Sequence, residues 1–144
     1  MSPQPSPRVS NAPASMLIEG YASVFGVADR MGDVVRAGAF AQSLQMRPVP
    51  MLLQHQTGAI AGRWVRLIED GRGLFVRGLV ESPAAQALVR TGLSGLSIGF
   101  RSQVWTLRPE GGRLLRKLDL VEISLVSQPM LDVARFEIVS GSIE

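Results

Sequence analysis

Cysteine is absent from this 144-residue chain, and histidine, lysine and tyrosine occur once each, as His55, Lys117 and Tyr21. Without cysteine there is no disulfide framework, thiolate nucleophile, iron–sulfur cluster or cysteine-ligated zinc. A single histidine excludes zinc sites built on two or more imidazoles of one chain. No run of about 18 apolar residues occurs, so no segment reads as a membrane-spanning helix. The first residues lack the apolar stretch of a signal peptide, which sets the expectation of an intracellular protein. Gly92, Gly95 and Gly99 fit neither a phosphate loop nor a dinucleotide fingerprint, and no lysine follows them. No cofactor and no metal are expected.

What is present is the composition of one folded domain. Hydrophobic residues make up 46% and charged residues 19%, and a chain of this length buries roughly 70% of its unfolded surface. The net charge is +3, carried by fourteen arginines against one lysine. These arginines are dispersed, whereas phosphate binding needs clustered cations interleaved with aromatics. Nucleic acid is therefore not the expected partner.

Residues 1–15 hold four prolines and four serines and read as an extended arm. The domain is expected over residues 16–139, followed by a short tail at 140–144. Strand-forming runs start at Met16 and continue at Met51–His55, Ile60–Glu69, Leu74–Glu81, Leu96–Leu107, Arg113–Ser127 and Arg135–Val139. Asp70–Gly73 and Pro109–Gly112 read as hairpin turns. Phe40 and Leu44, four apart, predict a helix over 37–45 that Pro48 ends. Ser82 as N-cap and Pro83 as first helical residue predict a second helix to about Thr91, stopped by Gly92. Many short strands and two helices point to a mainly β fold, a barrel or sandwich with flanking helices.

Three positions could carry chemistry. In Leu96-Ser97-Ile98-Gly99-Phe100-Arg101, alternation sets Ser97 on the non-core face, with Gly99 leaving open space beside it and Arg101 supplying charge. Such a serine is either a nucleophile within reach of a peptide or a structural hydroxyl. His55 closes an apolar strand and is the sole candidate for an imidazole base. Glu122 is a lone carboxylate in the apolar run Leu120–Val126, and a charge there needs a partner. That partner is the His55 ring or an arginine. Asp119 competes with Glu122 for the first role, and Ser124 competes with Ser97 as nucleophile.

The stretches Ile18–Gly26, Gly32–Phe40, Met51–His55, Gly92–Phe100 and Asp119–Val126 with Pro129, taken in this order, resemble the prohead (capsid maturation) proteases of tailed phages and their prophage or gene-transfer-agent relatives. These are serine peptidases related to herpesvirus assemblin. The resemblance spans about residues 16–137 and implies an assemblin-like β-barrel with flanking helices. It implies a serine endopeptidase that cuts the scaffold or the major capsid protein, and often itself, inside the procapsid in the host cytoplasm. It places the nucleophile on Ser97 and the base on His55. The herpesvirus enzymes use a second histidine as third member, which this chain lacks, and the resemblance puts Glu122 in that role. Gln56 follows His55 where relatives usually have an acidic residue. The related herpesvirus enzymes gain activity on dimerising, and by analogy the resemblance implies a homodimer here. The alternative is a protease-like barrel without catalysis that serves as scaffold or assembly factor.

Overall fold

The computed structural model describes residues 15–139. The expected arm, apart from Ser15, and the expected tail lie outside the described residues. The elements in order are β1 (Met16–Val24), β2 (Val34–Val35), a 3-10 turn (Ser43–Gln45), β3 (Pro50–Leu53), β4 (Gln56–Glu69), β5 (Gly73–Val80), α1 (Pro83–Arg90), β6 (Gly95–Leu107), β7 (Arg113–Val126) and β8 (Phe136–Ile138).

All eight strands join one sheet in the order β2-β7-β3-β4-β5-β1-β8, with β6 also paired to β7. The barrel expectation meets a sheet that curls without a closing ladder. The beginning of β6 meets the segment before β8 through the Gly95–Arg135 bridge and two backbone bonds, Leu96 N–H to Ala134 O and Phe136 N–H to Ser94 O, each 2.9 Å. Inside the curl, Ile18, Met51, Val76, Leu96, Ile123 and Leu125 are fully buried and form the core. Burial of each such side chain favours the fold by about 1.5–3 kcal/mol.

β7 is the spine. Its last five residues, Glu122–Val126, are all buried, because β6 flanks it antiparallel and β3 flanks it parallel. A strand covered in this way should be apolar throughout, which makes the glutamate and serine within it anomalous.

The helix at α1 forms as the sequence indicates. The Ala85 N–H donates to the Ser82 hydroxyl at 3.2 Å, Pro83 opens the helix, and Gly92 at φ +117° follows it. The expected helix over 37–45 does not form. Gly38 adopts φ +93°, outside the helical region, and β7 draws on the segment's acceptors. Leu118 N–H donates to Ala39 O at 3.0 Å and Leu120 N–H to the Ser43 hydroxyl at 2.8 Å. One turn survives, closed by Leu44 N–H to Phe40 O at 3.0 Å, and Phe40 still plugs the core. The apolar spacing was real, but it serves a plug rather than a helix.

The loop between β1 and β2 is pinned to the β6–β7 hairpin. Asp33 accepts from Arg113 Nη2 at 2.7 Å, Nε at 3.2 Å and the backbone N–H at 2.9 Å. The hydrogen bonds from Arg113 hold the Asp33 carboxyl below the usual aspartate range, against the opposing effect of burial.

Candidate active site

The site grows from the junction of β3 with β4. Leu53 pairs with Gln56, so only Gln54 and His55 connect the two strands. Both adopt positive φ, 53° and 61°. A two-residue hairpin turn requires that conformation and ordinarily takes asparagine or glycine to reach it. Glutamine and histidine there cost about 1–3 kcal/mol each. His55 therefore stands in the turn, not at the end of a strand as its apolar neighbours suggested.

The strained turn is fastened to β7. β3 runs parallel to β7, with Leu52 beside Ser124 and Leu53 beside Leu125, which carries the turn past the end of that strand. Gln54 N–H donates to Leu125 O at 2.9 Å, and His55 N–H donates to the Ser124 hydroxyl at 3.0 Å. The Gln54 side chain reaches further, accepting from Ser127 N–H at 3.2 Å.

Glu122 faces the same turn. One carboxylate oxygen, Oε2, lies 2.5 Å from His55 Nδ1, and the other, Oε1, accepts from the Ser124 hydroxyl at 2.7 Å. The Glu122 side chain is 11% exposed, whereas that of His55 is 43% exposed. A carboxylate on Nδ1 selects the tautomer with its proton there and leaves the Nε2 lone pair free. Of the two partners open to Glu122, the structure supplies the ring and not an arginine. Asp119 takes the arginines instead, 2.6 Å from Arg47 and 3.5 Å from Arg101. That pairing removes Asp119 from the contest for His55 and takes Arg101 away from the serine.

Ser97 arrives on β6. The β6–β7 register sets Ser97 opposite Ser124 and Gly99 opposite Glu122, so all four share one face, with fully buried Leu96 on the other. The expected face for Ser97 is therefore observed, but the expected open space is not. Ser97 is 7% exposed. A Cβ on Gly99 would lie 2.7 Å from Glu122 Cδ and 2.9 Å from its Cγ, and closer still to Oε2. Gly99 makes room for the carboxylate.

The Ser97 hydroxyl takes no hydrogen-bond partner among the described residues, and it is not sealed from solvent. Ser124 is 0% exposed with its proton given to Glu122, so of the two serines Ser97 alone has a free hydroxyl. An apolar cavity of about 230 Å³ adjoins Ser97, lined among others by Ala22, Leu96, Ile98, Phe100 and Met130.

Two features escaped the sequence reading. One is the strained turn, which no local residue type announces. The other is the spacing Gly95-Leu96-Ser97-Ile98-Gly99, which is Gly-x-Ser-x-Gly. Here it lies within a strand, so it is not the strand-to-helix elbow that this spacing often marks. Its second glycine serves the carboxylate.

The strand arrangement defines a class first. The fold is that of the herpesvirus proteases: a crystal structure of KSHV protease with a hexapeptide phosphonate inhibitor matches with a TM-score of 0.61 at 15% identity, over 88% of this chain and 65% of that one. A second structure of Kaposi's sarcoma-associated herpesvirus protease, with an allosteric inhibitor, matches at a TM-score of 0.54 and 15% identity, over 88% and 77%. At such identity the likeness is one of fold. The sequence carries the assignment further, matching the caudovirus prohead serine protease family over residues 6–144. It is also 38% identical over 125 residues to the prohead protease of Enterobacteria phage HK97, covering 78% of this chain and 55% of that protein. The chain belongs to the caudovirus prohead serine protease family. It spans about half the length of the HK97 relative.

Proposed function

We propose that this chain is a serine endopeptidase of procapsid maturation, with Ser97 as nucleophile, His55 as general base and Glu122 as the residue that orients His55. The observation that carries the reading is the contact of 2.5 Å between Glu122 Oε2 and His55 Nδ1, on the strand face that also bears Ser97. Family membership supplies the reaction class.

In the reaction, Ser97 Oγ attacks the scissile carbonyl carbon while His55 Nε2 takes its proton. Glu122 stabilises the imidazolium that results, and that proton passes to the leaving amine. Water then enters, gives a proton to His55 and attacks the acyl-enzyme ester, and His55 passes that proton to the departing Ser97 Oγ, so that both groups are restored. A positioned base of this kind contributes about 10²–10⁴ in rate. No hydrogen bond joins Ser97 to His55 in the free protein; catalytic hydrogen bonds often tighten only once substrate is bound.

The substrate we propose is the major capsid protein or a scaffold segment, met inside the procapsid in the host cytoplasm, with the chain itself as a further substrate. Co-expression with the major capsid protein tests this, read by intact mass. A defined N-terminal loss with the wild-type chain, absent with Ser97→Ala, is the expected result. Full-length capsid protein in both arms would refute proteolysis of that substrate and favour an assembly role without chemistry.

A further inference from the structure

A serine hydroxyl wholly withdrawn from water needs partners, and Ser124 lies between Ile123 and Leu125 at 0% exposure. Its single oxygen makes two bonds, donating to Glu122 Oε1 at 2.7 Å and accepting the His55 N–H at 3.0 Å. With the contact between Glu122 Oε2 and His55 Nδ1, the three residues form a closed ring of hydrogen bonds. Each member of that ring fixes the other two. The imidazole is held at its ring nitrogen by Glu122 and at its own backbone by Ser124, in a turn where His55 adopts a φ of 61°.

We propose that Ser124 is a positioning residue of the site, a reading that rests on the proteolytic one above. It touches neither substrate nor reacting atoms. It secures the second carboxylate oxygen, so that Glu122 cannot rotate away from Nδ1, and it anchors the strained backbone that carries the base. Its removal leaves one carboxylate oxygen and one amide proton without their partner. Ser97, directly across the β6–β7 pair, then faces an imidazole free to turn and to exchange tautomers.

The sole histidine makes the test direct. Protein carrying Ser97→Ala, ring-labelled with nitrogen-15 and prepared without a histidine tag, gives the signals of one imidazole. We expect a slowly exchanging Nδ1–H, and its loss to exchange when Ser124→Ala is added. With Ser97 restored, Ser124→Ala should lower kcat 10- to 100-fold on a peptide spanning the mapped bond, with KM within twofold. An unchanged Nδ1–H signal, or losses confined to thermal stability or KM, would overturn the proposal. Should Ser124→Ala not fold, hydrogen exchange of the His55 amide in the Ser97→Ala protein decides. Protection matching the β7 amides supports the anchor, and exchange at the rate of an open loop refutes it. If the wild-type chain cleaves nothing, the proteolytic reading fails, while the ring signal still reports whether Ser124 holds His55.

Discussion

Gly99→Ala is the sharpest test of the site's architecture, because it adds one methyl group and removes nothing. The new Cβ would sit 2.7 Å from the Glu122 carboxyl carbon, where ordinary contact begins at 3.4 Å. The carboxylate must therefore move by about 1 Å, since every close neighbour of that Cβ belongs to the Glu122 side chain, which yields more readily than backbone. Such a shift stretches the 2.5 Å contact to His55 Nδ1 beyond hydrogen-bond range. A misplacement of about 1 Å costs on the order of 10² in rate, and loss of the orienting carboxylate about 10⁴. We expect kcat/KM to fall by roughly 10²–10⁴, with thermal unfolding still cooperative and the overpacking cost near 1–3 kcal/mol. The assay is cleavage of the mapped capsid peptide, with circular dichroism as the check on fold. Activity within threefold of wild type would refute the claim that the gap at Gly99 exists for Glu122.

Two further results separate the carboxylates and the ion pairs. Glu122→Gln should lower kcat by about 10²–10⁴, whereas Asp119→Asn should change it less than threefold, because Asp119 is engaged by Arg47 and Arg101; parallel kinetics on the two variants check this, and equal losses would contradict the assignment. Asp33 titrates below the usual aspartate range because Arg113 holds it, so its contribution is complete above about pH 4 and fades as pH falls through the depressed value. Denaturant titrations should thus show Asp33→Asn less stable by roughly 1–3 kcal/mol at neutral pH, with the gap narrowing only below about pH 4. Narrowing between pH 5 and 7 would contradict the sign.

Much of this was legible in the chain. The hairpin strands, the Ser82–Pro83 helix start and the oddity of Glu122 among apolar neighbours all follow from local chemistry. Pairing did not. A count back from the Pro109–Gly112 turn sets Gly99 against Val121, on which register Glu122 would point the wrong way. The irregularities on either side of Val104 cancel, so that Phe100 still meets Leu120, and a single bulge between Gly99 and Phe100 then brings Gly99 against Glu122. The turn at His55 was hidden for another reason: its positive φ is imposed by bonds to Ser124 and Leu125, about 70 positions away, and nothing in Gln54-His55 favours it. Residues 37–45 misled because a buried phenylalanine and a half-buried leucine four apart satisfy a helical pattern, while Gly38 breaks the backbone that pattern needs.

The parallel pairing of β3 with β7 has a consequence in time. His55 and Glu122 are 67 residues apart, and parallel strands at such separation close a long loop before any contact rewards it. The β6–β7 hairpin can zip locally and bring Ser97 beside Ser124 early. The imidazole joins only when β3 docks, after β7 has been synthesised. A nascent or half-folded chain thus holds Ser97 without His55, and the order of folding itself delays the appearance of the proposed triad.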